Sequence, residues 1–200
     1  AATFRLDFDP RKSGVRFRRS REYAMLIDVI DDFGAFERLK PDWDTVYEAD
    51  PDAQLFLSWI WLSQWIPMLS DPWFILAARP AEGARYVAFL PLRWRLKEDT
   101  KRGFHNEINM IGNFAADYTG FVCKPEFDER AIPAFARYFK RLNWRRVNMD
   151  YIRTTEARLS MFLSSFSNKR FETRASTRIN KRDNINNCIC PAVALPDDWD

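Results

Sequence analysis

The chain has 200 residues, with 31 Lys and Arg against 28 Asp and Glu and a formal net charge of +3. That length holds one domain with a real hydrophobic core or a half of something larger, and so small and evenly interspersed a charge argues against a nucleic-acid-binding protein. The longest apolar stretch, residues 55–69, is interrupted by Ser58, Ser63, Gln64 and Pro67 and is too short and polar to span a bilayer.

Residues 1–21 are polar and basic apart from Phe4, Leu6, Phe8 and Phe17, and predict a loosely ordered arm with one short strand. Residues 22–200 form the ordered domain. It opens with a near-continuous apolar run, 22–30, suited to an interior strand. Asp31 or Asp32 then caps a short helix through Leu39, because a carboxylate there accepts hydrogen bonds from the free N–H groups of the first turn. Pro41 stops that helix, and a second helical piece covers 42–47. Pro51 and Asp52 open a longer helix, 53–68, with proline placed where its missing N–H costs nothing. Leu55, Trp59, Leu62 and Ile66 make one stripe of it, while Phe56, Leu57, Ile60, Trp61 and Trp65 cover most of the remaining circumference. A helix apolar nearly all round needs cover on more than one side. Either it is a central core helix, or Trp61 and Trp65 line a groove or a domain interface.

Residues 72–78 and 85–96 are predicted strands joined by a turn at 80–83, and the alternation of Trp94 with Arg93 and Arg95 takes the second strand out of the core before its end. A charged loop, 97–103, leads to residues 106–122, NEINMIGNFAADYTGFV, two extended runs around a polar interruption. Glu107, Asn109 and Ile111 fall on one side of the first run and Ile108, Met110 and Gly112 on the other, which suits a strand buried on one face. Glycine followed by Asn113 inside a strand pattern marks a bulge or a splayed strand end, where the backbone turns away and opens a notch. The groove of the protein is expected there; the plainer alternative makes Asn113 and Asp117 turn residues of a hairpin. An amphipathic helix follows at 125–142, kinked or started late at Pro133, then a strand at 144–151 and a helix at 155–166 capped by Thr154 or Thr155. A strand at 171–176, a polar loop at 177–187 and a last strand at 188–194 complete the order. It predicts an α/β sandwich, helices flanking a mixed, largely antiparallel sheet.

Aromatic residues are 16% of the chain, with eight Trp and seventeen Phe, so some are expected to face a partner or a second domain. The three cysteines, Cys123, Cys188 and Cys190, fit neither a disulfide framework nor C-x-x-C zinc spacing, and the first residues lack a hydrophobic signal core. Reduced thiols in a soluble cytoplasmic protein are the expectation, with no metal. The local basic clusters around Arg16–21, Arg137–146 and Arg174–182 are solvated faces or, less economically, a phosphate- or RNA-binding surface. His105, the one histidine, sits in a loop mouth, as a linker residue or a proton carrier. No Ser-His-Asp, G-x-S-x-G, H-E-x-x-H or P-loop pattern is present, which excludes the common hydrolase and nucleotide-hydrolysis signatures.

Phe36-Glu37-Arg38-Leu39 with Trp43-Asp44, Phe56-Leu57-Ser58-Trp59 with Trp61-Leu62 and Trp65, and Phe89-Leu90-Pro91-Leu92 follow one another in a specific order. Gly112-Asn113 with Ala116-Asp117-Tyr118, Leu142-Asn143-Trp144, Cys190-Pro191 with Leu195-Pro196, and Trp199-Asp200 continue it. The whole, from Tyr23 onward, resembles the GNAT acyltransferase superfamily, and within it the N-terminal half of the CelD-like acetyltransferases of cellulose and exopolysaccharide biosynthesis, tandem-GNAT relatives of the FemAB aminoacyltransferases.

The resemblance implies an acyl-CoA-dependent N-acyltransferase using acetyl-CoA or another acyl-CoA, in which this chain is the acceptor side. GNAT enzymes hold the cofactor pyrophosphate on a glycine-rich turn, Q/R-x-x-G-x-G/A, at the helix after the fourth strand. Here that place reads Cys123-Lys124-Pro125-Glu126-Phe127-Asp128-Glu129, with no glycine, one donor removed and three carboxylates. This chain alone is therefore expected to bind no CoA and to be inactive, its partner being a C-terminal GNAT half, in cis or in trans, expected beyond Trp199-Asp200. For the acceptor, an amine-bearing sugar or other small amine, the implied contacts are Asn113, Asp117 and Tyr118, with Trp59, Trp61 and Trp65 stacking on a sugar face or packing on the other half. Asp117 and Glu107 are the carboxylates available as general base, with no catalytic residue assigned. The alternative of a different class is a non-catalytic protein- or glycan-binding module with the same fold.

Overall fold

The computed structural model describes residues 2–9, 25–100, 103–112, 115–166, 170–176, 179–180, 182 and 185–186. Its sheet contains β1 (Ala2–Phe8), β2 (Leu26–Ile30), β3 (Trp73–Arg79), β4 (Ala88–Asp99), β5 (Gly103–Met110), β6 (Val122–Cys123), β7 (Arg146–Ile152) and β8 (Phe171–Ser176). The strand order is β2-β3-β4-β5-β7-β1-β8, with the short β6 added to β4. Every pairing is antiparallel except β5 with β7. The helices are α1 (Phe33–Arg38), α2 (Lys40–Ala49), α3 (Trp59–Trp65), α4 (Asp128–Phe139) and α5 (Glu156–Ser164). The predicted class, α/β with helices on a mixed, largely antiparallel sheet, is the one the chain adopts.

The period-2 alternation of the strands divides the interior in two. On one face Leu6, Leu92, Ile108, Met110, Val147 and Met149 pack with Phe135, Phe139, Phe162 and Phe166 of the α4 and α5 region. On the other, Ile75, Ala77, Phe89, Ile111 and Val122 pack with Phe36, Trp43, Leu57, Leu62 and Ile66. Trp43 anchors this second core: it is fully buried, lies stacked 4.4 Å from Phe89, and donates its indole N–H to the Leu57 carbonyl at 2.9 Å. Trp144 does the same on the first face, giving its N–H to the last-turn carbonyl of Phe139 at 2.7 Å. Much of the aromatic content is thus consumed by the two cores.

The caps predicted at Asp32 and Thr155 form, with Asp32 accepting from Ala35 N at 2.8 Å and Thr155 from Arg158 N at 3.3 Å. Other local expectations change. The strand within the predicted arm is seven residues long and lies between β7 and β8, with Leu6 fully buried; residues 10–21 lie outside the described residues. β2, predicted as interior, is an edge strand, and its Leu26 and Val29 are exposed. Pro41 does not stop a helix but starts α2, where a missing N–H is harmless. The helix predicted at 53–68 is broken: a 3-10 turn at Leu55–Leu57 precedes α3, which is capped by Ser58 rather than Asp52, and a second 3-10 turn follows at Ile66–Met68. β4 runs on to Asp99 through the predicted charged loop. In the predicted polar loop, Ile179–Asn180 pairs with Ile185–Asn186, while the predicted last strand, 188–194, lies outside the described residues.

Asp52 is not free to cap because it belongs to a buried ionic cluster. Arg158 of α5, 3% exposed, donates to Asp50 Oδ1 at 2.7 Å, Asp128 Oδ2 at 2.8 Å and the Cys123 carbonyl at 3.0 Å, and lies 3.5 Å from Asp52 Oδ2. Burial opposes the Arg158 charge, but hydrogen bonds and charge from Asp128 and Asp50 outweigh it and raise its pKa. Removing one member leaves buried, uncompensated carboxylates. Arg158→Ala is expected to lower stability by about 3–5 kcal/mol, seen as a fall in the urea midpoint, whereas Lys40→Ala, which breaks the exposed pair with Asp44, costs less than about 1 kcal/mol.

Candidate functional site

The parallel β5–β7 junction is where the sheet opens. Its ladder matches Glu107, Ile108 and Asn109 with Arg146, Val147 and Asn148, and then stops. β5 ends at Met110, the chain turns through Gly112 at φ 92, and contact with β7 resumes only at an isolated Thr119–Ile152 bridge. β7 is irregular at the same level: its pairing with β1 slips between Ala2 and Phe4, and Tyr151 has φ 56, a left-handed conformation uncommon outside glycine. At the Gly112 corner, where a bulge or splayed strand end is predicted, the β5–β7 ladder ends opposite a register shift in the β7–β1 pairing.

Aromatic rings border this break. A Cβ placed on Gly112 would lie 2.9 Å from the Ala116 Cβ and 3.2 Å from the Trp61 ring, so glycine is required by conformation and by space. Trp61 stacks on Trp65 with centroids 5.4 Å apart, meets the edge of Phe56 at 5.4 Å, and Phe56 meets Tyr118 at 6.5 Å. The Arg153 guanidinium lies 5.0 Å from the Tyr118 ring centroid, a cation–π contact that holds the phenol ring in place. Trp59 stands apart, stacked on Phe36 at 5.8 Å with Lys40 over its other side.

Of the predicted acceptor residues, the structure thus brings Tyr118, Trp61 and Trp65 into one aromatic row and leaves Trp59 on the α1 side of α3. Asp117 is exposed next to Tyr118. Asn113 lies outside the described residues. Glu107 is only 7% exposed, with its oxygens taken by Arg146 Nη1 and Asn148 Nδ2, each at 3.2 Å. His105 is not in a loop: it lies in β5, largely covered, with Nε2 3.5 Å from Glu107 Oε1.

Sequence reasoning missed the polar half of one sheet face. From Glu107 to Met110 β5 is buried on both sides, and Glu107, Asn109 and Arg93 are 7%, 3% and 8% exposed. Arg93 pairs in register with Asn109 and Arg95 with Glu107 across β4–β5, while Arg146 and Asn148 continue the row on β7 and Asp7 and Arg5 on β1. Asn148 donates to both Glu107 and Asn109 at 3.2 Å, and Arg146 donates to Asp7 at 2.8 Å. Burial opposes the Arg146 charge, and Asp7 and Glu107 outweigh it and raise its pKa. Burial, then Arg95, push the Arg93 guanidinium below its usual range against the pull of Asp71 and Asp150. Arg93 Nε and Asn109 Nδ2 have no hydrogen-bond partner among the described residues, a cost of about 1–3 kcal/mol for each such group. The signal for this row was present in the sequence, as three polar-bearing runs of period 2, RWR, NEINM and RRVNMD, but it was masked by the habit of sending polar positions to solvent.

The start of α4 carries Glu126, Asp128 and Glu129 around Pro125, and Asp128 is bound by Arg158. These residues do not fit a diphosphate, which like charge would repel. Cys123 is buried, and burial followed by Asp128 raises its thiol far above the ordinary value, so it stays protonated and inert. Among the described residues no three His, Cys, Asp or Glu side chains gather as a metal site, and no helix is long and apolar enough to cross a membrane. The sequence matches no protein-family model, and no curated protein is similar to it.

The tight Gly112 corner makes one direct prediction. Gly112→Ala is expected to cost about 1–3 kcal/mol in urea unfolding, and to change the tryptophan emission of the native state because Trp61 must move.

Proposed function

We propose that this chain is the acceptor-side domain of an acyl-CoA-dependent N-acyltransferase linked to polysaccharide biosynthesis, with a second GNAT half, in cis or in trans, supplying the CoA site. The observation that supports the reading is the single parallel pair, β5–β7, in an otherwise antiparallel sheet, broken after three residues beside Gly112 and a row of aromatic rings. An amine-bearing sugar suits that wall: a ring face stacks on Trp61 or Trp65, and the Tyr118 hydroxyl and Asp117 carboxylate offer hydrogen bonds. The acidic start of α4 supports assigning acetyl-CoA, or another acyl-CoA, to the other half. The reading assigns the protein to the cytoplasm, gives it no nucleic-acid partner and leaves the catalytic base open.

A second reading has its own support. Leu55, Ile60 and Met68 are exposed along and just beyond α3, as expected of a module that docks another protein or a glycan without catalysis.

Calorimetric titration of the 200-residue chain with acetyl-CoA is expected to give no binding, whereas the chain combined with a CoA-binding GNAT half releases free thiol from acetyl-CoA in the presence of glucosamine. In that system Trp61→Ala and Tyr118→Ala are expected to raise KM for the amine about tenfold or more. Micromolar acetyl-CoA binding by this chain alone would defeat the assignment of the cofactor to the other half, and turnover indifferent to both substitutions would favour the docking module.

A further inference from the structure

We propose that the polar half of the sheet face is a binding site for a small carboxylate ligand, received by Arg93 and Asn109. The inference stands on burial and hydrogen bonding and holds whether or not the chain takes part in acyl transfer. Along β4 the side facing α1–α3 is apolar at Phe89 and Pro91 and then changes to Arg93 and Arg95. A strand that only needed to be covered would place apolar residues there, or leave the charges in water. Instead Arg93 and Asn109 are more than nine-tenths buried.

The two are register partners, so their Cβ atoms are about 5 Å apart and both side chains stand on the same face of the sheet. Each retains a buried N–H donor with no acceptor, Arg93 Nε and Asn109 Nδ2. The two acceptors of β5 itself are already committed. Glu107 takes Arg146 and Asn148, and Asn109 Oδ1 takes the Asn148 amide. Asp71 is 3.6 Å from Arg93 Nη1 and 3.5 Å from Arg95 Nε, ion-pair distances too long for good hydrogen bonds. Two donors of the cluster thus lack an acceptor among the described residues, and an acceptor-only group with two oxygens matches them. Asp71, and Asp150 acting on the same guanidinium, disfavour a doubly charged phosphate by like-charge repulsion.

The test is an NMR titration of the 200-residue chain with acetate, its uncharged isostere acetamide, and inorganic phosphate, following the Arg93 Nε–H and Asn109 side-chain NH2 signals. Acetate at up to about 100 mM is expected to move both signals saturably, with acetamide and phosphate each at least about tenfold weaker. Asn109→Asp, which puts a fixed carboxylate beside Arg93 in nearly the same volume, and Arg93→Lys, which removes the Nε–H, should each weaken acetate at least about tenfold. If either variant fails to fold, the acetate–acetamide comparison on the unmodified chain decides alone. Unsaturable or absent acetate shifts, equal response to acetamide, or tighter phosphate than acetate would overturn the proposal.

Discussion

The guanidinium of Arg158 is the knot on which the fold depends. It binds α5 to the loop after α2 through Asp50, to the start of α4 through Asp128, and to β6 through the Cys123 carbonyl. Asp50 in turn accepts from the Cys123 N–H at 2.8 Å and the Asp52 N–H at 2.9 Å, and Asp52 accepts from Thr155 N at 3.1 Å. Four chain segments from both sides of the sheet thus share one network with its polar groups largely satisfied. An apolar replacement could be as stable, because desolvating so many charges is costly; what the network supplies is a fixed relative placement of α4, α5 and the segment leading to α3. The aromatic row that borders the notch begins just beyond that segment, at Phe56 and Trp61.

The second constraint is the parallel junction. Antiparallel neighbours can be joined by a short turn, but β5 and β7 need a crossover, and α4 provides it on the face opposite α1–α3. A parallel ladder flanked by antiparallel ones must reconcile two hydrogen-bond patterns, and here it does so over three residue pairs before the strands part at Gly112. The opening is a consequence of topology. Its chemistry comes from what lies beside the break, rings on the α3 side and a buried row of paired charges and amides along β4, β5 and β7.

Local signals carried much of the fold in the sequence. The alternation in residues 144–151, the amphipathic pattern after Pro125 and the caps at Asp32 and Thr155 depend on neighbours a few residues away, and each element forms close to where it is predicted. Long-range partners were not legible. The strand at Ala2–Phe8 looks like part of a polar arm because Arg5 and Asp7 occupy one side of it; only the structure shows their partners, Asn148 and Arg146. The Arg158 partners lie 30 to 108 residues away, and no spacing rule connects them. At the candidate site the glycine corner was legible, since glycine before Asn113 interrupts a clean alternation. Burial of Glu107, Asn109 and His105 was not, because alternation distinguishes two faces without saying that both are covered.

Asp128 joins these threads. A helix N-terminus with free backbone N–H groups is the natural seat for a phosphate, and α4 begins just after β6 and a 3-10 turn. The first turn instead carries Asp128 and Glu129, with Glu126 just before it, satisfying the positive end of the helix from within. Asp128 cannot be exchanged for glycine at little cost, because its carboxylate balances the buried Arg158. The residue that completes the structural knot is the same one that repels a diphosphate, so in this chain firm anchoring of α5 and a cofactor cradle at α4 exclude each other. A glycine turn at this place would require a new anion for Arg158 as well.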